Sequence, residues 1–266
     1  MTKFLYNTFP GRVVLKLLTR RFVSKIAGKY MDSPLSKGRI ANFVKKNKID
    51  MSDYIKREYK SFNDFFTREL KDGAREICGD ADALVSPCDG LLSVYNIGDD
   101  MDICIKDSHY TVEELLSNEI LAQKYRGGKM LSFRLTVTDY HRYVYFDSGT
   151  KEDNVFIQGI LHTVQPIAQT RYNIYKTNSR EYTILHTENF CDVVQMEVGA
   201  MMVGRICNNH QAHSFKRGEE KGKFEFGGST IVLLLEKDIA EIDEIYLPDT
   251  FNEIQERLGQ KIGKRI

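Results

Sequence analysis

In Lys223-Phe-Glu-Phe-Gly-Gly-Ser-Thr-Ile-Val-Leu-Leu-Leu235, two glycines and a Ser-Thr pair stand directly before an apolar run. Read locally, this is a Gly-Gly turn feeding a buried strand. Similar short runs surround it: Ala83-Leu-Val-Ser, Leu91-Leu-Ser-Val-Tyr, Met101-Asp-Ile-Cys-Ile, Met130-Leu-Ser-Phe-Arg-Leu-Thr-Val, Asn154-Val-Phe-Ile-Gln-Gly, Glu181-Tyr-Thr-Ile-Leu, Val193-Val-Gln-Met-Glu-Val and Met201-Met-Val-Gly-Arg-Ile. Many short strands with turns between them predict a β-sandwich or distorted barrel, mainly antiparallel. A helix over residues 111–125 interrupts them, with Thr111 and Glu114 spaced as a capping box. Another is expected over 249–258.

Upstream of residue 83 the texture is helical. Pro10 suits the first turn of a helix, and Val13, Val14, Leu17, Leu18, Phe22 and Ile26 follow at helical spacing. Further helices are expected over 36–48, 52–59 and 63–70, the last capped by Ser61 or Asn63. The fold class is therefore α+β: N-terminal helices, then a body of short strands.

Charge divides the chain the same way. Residues 1–50 carry twelve Lys or Arg and two Asp, a local net of +10. The whole chain of 266 residues is +1, so the remainder is −9. That balance excludes general nucleic-acid binding. A basic amphipathic segment over 1–50 beside a mildly acidic body over 51–266 predicts attraction to an anionic membrane surface, at about 1 kcal/mol per Lys or Arg. The bland reading of the same stripe is that it packs on the protein's own core. No apolar run reaches the roughly 20 residues of a membrane span. Arg12, Lys16, Arg20 and Arg21 break up a signal-peptide pattern.

The five cysteines, Cys78, Cys88, Cys104, Cys191 and Cys207, show no C-x-x-C spacing and read as thiols of a reducing compartment. His210 and His213 lie three apart in a polar stretch with no evident further ligand, so no metal site is expected.

Several motifs occur in a fixed order. They are Phe62-Asn-Asp-Phe-Phe-Thr-Arg-Glu-Leu-Lys with Gly73-Ala-Arg75, Ser86-Pro-Cys-Asp-Gly90, Asp139-Tyr-His-Arg142, Glu197-Val-Gly-Ala200 with Val203-Gly204, Arg217-Gly-Glu-Glu-Lys-Gly-Lys-Phe224, and Gly227-Gly-Ser-Thr230. Together they resemble the phosphatidylserine decarboxylase family, over about residues 55–240. The resemblance implies a chain that cuts itself between Gly228 and Ser229. Ser229 Oγ would attack the Gly228 carbonyl, giving an ester. Elimination would then leave a large (β) chain, 1–228, and a small (α) chain, 229–266, that begins with a covalent pyruvoyl group derived from Ser229. A glycine before the nucleophile removes the Cβ that would obstruct attack.

By the same resemblance, Asp89 and His141 join Ser229 in a charge relay. Taken alone, Asp89 is a turn carboxylate and His141 a structural histidine. Many family members carry a second histidine three residues after the first; here that position is Val144. His162 is the candidate substitute, or else a satisfied strand histidine.

The implied reaction is decarboxylation of phosphatidylserine to phosphatidylethanolamine through a Schiff base on the pyruvoyl carbonyl, which acts as electron sink. The implied setting is peripheral, on the cytoplasmic face of the cell membrane, with the two chains remaining associated and a homodimer compatible. Two other readings stand beside it: a pyruvoyl decarboxylase of a soluble amino acid, and a non-catalytic membrane-binding β-module.

Overall fold

The computed structural model describes residues 2–19, 21–105, 108–160, 162, 174–199, 205–226, 229–247 and 253–266. Its largest sheet has nine strands. Across it run β12 (His213–Phe215), β7 (Gly149–Lys151), β9 (Arg180–Thr187), β10 (Asp192–Val198), β14 (Ser229–Leu235), β5 (Lys129–Leu135), β2 (Gly90–Asn96) and β16 (Ile254–Glu256), with β8 (Val155–Ile157) also on β9. A second sheet orders β1 (Ala83–Val85), β17 (Lys261–Arg265) and β15 (Ala240–Ile242). A third orders β11 (Ile206–Asn208), β13 (Glu220–Phe224) and β6 (Arg142–Val144). Strands β3 (Asp102–Ile105) and β4 (Ser108–Thr111) form a separate hairpin. None of these sheets closes into a barrel among the described residues, so the α+β expectation holds and the barrel variant of it does not.

The apolar run of β14 has a simple cause. Its neighbours β10 and β5 are both antiparallel to it, and all seven of its residues are buried. Ile231, Leu233 and Leu235 enter one core with Leu131, Phe133, Val193 and the small β1–β17–β15 sheet. Val232 and Leu234 enter another, with Val112, Leu115, Leu116 and Tyr110. A strand covered on both faces needs no polar alternation.

The second core is closed by helices. Thr111 caps α6 (Val112–Leu116) and forms the expected capping box with Glu114. Ser117 at φ 50° then breaks the path, so α7 (Glu119–Ala122) is separate and the expected single helix is two. A further short helix, α8, spans Ile174–Thr177.

At the N-terminus the chain forms α1 (Thr2–Asn7), α2 (Phe9–Leu18) and α3 (Arg21–Asp32). The expected stripe falls on α2 and α3, and just after α2 Thr19 Oγ1 donates back to the Leu15 carbonyl at 3.0 Å. Leu5 and Leu15 are buried, but Phe4, Phe9, Val13, Val14, Phe22 and Ile26 are exposed. No described helix is long and apolar enough to cross a membrane.

Further on, a 3-10 turn (Pro34–Arg39) precedes α4 (Ile40–Asn47). Ser61 caps α5 (Phe62–Phe66), accepting from Asp64 N at 3.2 Å. That helix ends at Phe66 because the chain beyond it pairs elsewhere. The helix expected over 52–59 is absent for the same reason. Tyr54 bridges Leu70 in antiparallel fashion, Ile55 N donates to Glu69 O, and Lys71 N donates to Asp53 O. Likewise, the expected C-terminal helix is replaced where it is described. Residues 248–252 lie outside the described set, and Ile254–Glu256 is β16, in register with β2. Residues 201–204, part of an expected strand, also lie outside the described residues.

The large and third sheets are joined by a fully buried ion pair. Lys221 Nζ reaches Glu197 Oε1 at 2.7 Å and donates to Asn208 Oδ1 at 2.8 Å. Neither charge meets water, so each depends on the other.

Candidate active site

Ser229 is the first residue of β14, opposite Leu135 of β5. It is fully buried. Its Oγ and the Thr230 Oγ1 beside it have no hydrogen-bond partner among the described residues. A buried hydroxyl without a partner loses its hydration for no return, so its presence asks for a chemical reason. Gly227 and Gly228 lie outside the described residues.

The segment leading to Ser229 is held from the helical side. Phe226 N donates to Asn63 Oδ1 at 2.9 Å, and Asn63 Nδ2 donates to Asp32 Oδ1 at 2.7 Å. The Phe226 ring packs edge-on against Phe62 at 4.9 Å and Phe66 at 5.2 Å between centroids. The Phe62-Asn63…Phe66 motif is thus a clamp on the approach to Ser229.

His141 meets the same clamp. Its ring lies 3.9 Å from that of Phe66 and is fully buried. Phe224 N donates to its carbonyl at 2.9 Å, fixing it beside the strand that leads to Ser229. His141 Nδ1 is 2.9 Å from the Asp139 carbonyl. A carbonyl only accepts, so Nδ1 carries the hydrogen, and in the neutral ring Nε2 holds the basic lone pair.

That geometry differs from the expected relay. The Asp89 carboxylate is buried and takes a bidentate fork from Arg75, Nε to Oδ1 at 3.0 Å and Nη2 to Oδ2 at 2.7 Å. Leu258 N donates to the same Oδ1 at 2.9 Å. The hydrogen bonds that Arg75 donates to the Asp89 carboxylate push its guanidinium further above its ordinary range. The Nδ1 hydrogen of His141 therefore points to the Asp139 carbonyl, while Asp89 is engaged by Arg75. The two elements remain neighbours: Val144 N donates to Pro87 O at 2.9 Å, tying the Ser86–Asp89 turn to β6. Val144 itself packs among Tyr54, Tyr140 and Leu258, in apolar company.

Two arginines that the sequence motifs contain, without a role being evident, are central here. Arg75 holds Asp89. Arg68 is fully buried, and its Nη2 donates to Tyr54 Oη, Thr138 O and Asp139 O at 3.0, 3.0 and 3.3 Å. It lies over the Tyr54 ring at 4.1 Å. Its Nε and Nη1 have no partner among the described residues. Arg68 thus grips the carbonyl that orients His141. A buried cation with donors to spare would be visible in sequence only if its carbonyl partners, seventy residues away, were known.

His162 is buried, and its backbone is held by Asn178 in both directions, at 3.0 and 2.9 Å. The same Asn178 amide donates to Gly199 O at 2.7 Å. Burial lowers the His162 pKa from 6.5. Below about 6.5 the unfolded chain takes a proton that the folded chain refuses, so acidification favours unfolding until pH passes the lower folded value. Urea denaturation between about pH 7.5 and 5.5 should therefore show a steeper loss of stability for the wild type than for His162→Asn. Equal slopes would mean that the folded ring titrates normally.

Comparisons with known proteins find relatives along nearly the whole chain. A family model described as phosphatidylserine decarboxylase matches residues 62–264. Phosphatidylserine decarboxylase proenzyme 2 of Clostridium acetobutylicum is 48% identical over 265 residues, which cover 98% of this chain and 91% of that protein. The phosphatidylserine decarboxylase proenzyme of Fusobacterium nucleatum is 41% identical over 269 residues, covering 98% and 90%. That of Clostridium novyi is 39% identical over 272 residues, covering 99% and 92%. The matched span runs from the Phe62 clamp through His141 and Ser229 to β17, and on that span the chain belongs to the phosphatidylserine decarboxylase family.

Proposed function

We propose that this protein decarboxylates phosphatidylserine to phosphatidylethanolamine after cutting itself before Ser229. The observation that carries the reading is the Ser229 hydroxyl at the head of β14, buried and without a hydrogen-bond partner among the described residues, directly after Gly227-Gly228 in sequence. Relatives named as proenzymes support the self-cutting step.

In the cutting reaction, Ser229 Oγ bonds to the Gly228 carbonyl carbon as its proton passes to His141 Nε2. The Gly228–Ser229 C–N bond breaks and the amine takes a proton, leaving an ester. Loss of the Ser229 Cα proton expels the Gly228 carboxylate. The resulting enamine tautomerises, and water displaces ammonia to leave the pyruvoyl group. Ser229 fits the origin of that group because no described residue competes for its hydroxyl. The pyruvoyl group supplies an electrophilic carbonyl and an electron sink for loss of CO2. His141, its tautomer fixed by Asp139, holds or returns a proton at Nε2. Arg68 and Arg75 fix the carbonyl of 139 and the carboxylate of 89.

The lipid substrate accounts for the N-terminal helices. Exposed Phe9, Val13, Val14, Phe22 and Ile26 alternate with Arg12, Lys16 and Lys25, as suits a peripheral protein on an anionic leaflet. The cytoplasmic face is the leaflet proposed, in keeping with five free thiols.

Intact-mass measurement and vesicle turnover test the reading together. The expected result is two chains, 1–228 and 229–266, the second lighter by one ammonia than a serine-started peptide. CO2 should then be released from phosphatidylserine vesicles and not from free serine. A single uncut chain after long incubation would overturn the proposal.

A further inference from the structure

The turns on either side of β12 bring together three side chains that the candidate active site does not use. His210 lies in the β11–β12 turn, His213 opens β12, and Glu219 lies in the turn before β13. One ligand atom from each falls within 4.8 Å of the others. Sequence spacing gave only the two histidines; the fold adds the carboxylate.

The cluster is positioned in detail. His213 Nε2 and Glu219 Oε1 are 2.8 Å apart. Ligand atoms about 2.0–2.2 Å from one tetrahedral zinc ion stand roughly 3.4 Å apart, so this pair has to open by about half an ångström to take an ion between them. The second Glu219 oxygen accepts from Lys216 N at 3.1 Å, which fixes the carboxylate plane. The His210 and His213 rings stack at 3.9 Å between centroids, 15° from parallel. His210 Nδ1 contacts Tyr145 Oη at 3.4 Å, and the Tyr145 ring in turn stacks on Phe215 at 4.1 Å. A polar partner behind an imidazole is the usual way a ligand ring is oriented.

The turn that carries His210 is also pinned. Lys151 Nζ donates to the carbonyls of His210 and Gln211 at 3.0 and 2.9 Å. Asn154 Nδ2 donates to His210 O at 2.9 Å, and Ala212 N donates to Asp153 Oδ1 at 2.8 Å. The turn is thus ordered before an ion arrives, and the two stacked rings have to rotate out of parallel to direct one nitrogen each at it. His213 and Glu219 are each about one-third exposed, so an ion can enter and keep a water.

We propose that His210, His213 and Glu219 bind a divalent transition metal of the zinc class, with water as fourth ligand. Two imidazoles and one carboxylate select such an ion over Mg2+ or Ca2+, which prefer all-oxygen shells. Bound there, the ion cross-links the turns at both ends of β12, an edge strand of only three residues.

The test uses tag-free, full-length protein stripped of metal. Equilibrium dialysis at micromolar Zn2+ should give one equivalent per chain, with a higher melting temperature. Co2+ should give visible d–d bands of tetrahedral intensity, bleached by Zn2+. His213→Ala and Glu219→Gln should each weaken binding at least tenfold. His210→Asn serves as a third variant, and melts of the metal-free proteins check folding. The cobalt spectrum and the wild-type melting shift stand without any variant. Lack of stoichiometric uptake would overturn the proposal. So would binding unchanged in the variants, or a near-ultraviolet sulfur-to-cobalt band, which would place the ion on a cysteine.

Discussion

Ser229→Ala leaves one uncut chain of 30.7 kDa, however long it is incubated, and no decarboxylase activity. No other side chain supplies the oxygen that becomes the ester, so the loss is complete rather than graded. The substitution also carries a second expectation. In the folded protein the Ser229 hydroxyl is buried without a partner among the described residues. Removing an unsatisfied buried hydroxyl relieves a desolvation cost of about 1–3 kcal/mol. The alanine variant should therefore melt no lower than a wild-type chain caught before cutting. A purely structural role for Ser229 predicts the reverse: lower stability and no specific block at the 228–229 bond. Mass spectrometry and thermal denaturation of the same sample separate the two.

His141→Asn is the second large effect. An asparagine amide can keep the donor to the Asp139 carbonyl but has no basic nitrogen to replace Nε2. Cutting should slow by about 10²–10⁴-fold, the range for loss of a general base. The fold should persist, since the ring's contact with Phe66 is its principal packing loss. Cutting at the wild-type rate in a folded His141→Asn protein would remove His141 from the mechanism. The variant also tests the Asp139 geometry: His141→Ala, which loses both functions, should be the less stable of the two.

The parts of the fold that could be read from sequence are those governed by neighbours in the chain. Strand β14 announces itself because burial on both faces favours the unbroken apolar run Ile231–Leu235. Thr111 with Glu114, and Ser61 with Asp64, are caps that work within four residues. What failed was decided by distant pairing. Residues 52–59 carry a pattern that suits a helix, yet the backbone at Asp53, Tyr54 and Ile55 pairs with residues 69–71. Ile254–Glu256 is a strand because β2 offers an edge.

Within the candidate site, Ser229, Asp89 and His141 were visible through the ordered motifs. Their partners were not. Arg75 on Asp89 and the Asp139 carbonyl under His141 depend on how a buried turn is presented, which residue types alone do not specify. Glu219 was missed beside His210 and His213 because a ligand six residues on, across an edge strand, fits no short spacing rule.

Strand β14 has a last consequence. Of the strands after Ser229, β14 lies between β10 and β5, β16 extends β2, and β17 joins β1. None of these pairings needs the bond before Ser229. Were it cut as proposed, the two pieces would still be one folding unit, because the shorter one supplies the middle of the longer one's sheet. The longer piece made alone would have a slot where its central strand belongs, flanked by two unsatisfied edges. A separately synthesised 229–266 peptide could fill that slot only while the sheet is being built, not afterwards. Under the proposed cut, the halves would thus be inherited together from a single translation product, and neither would be exchanged for a fresh copy.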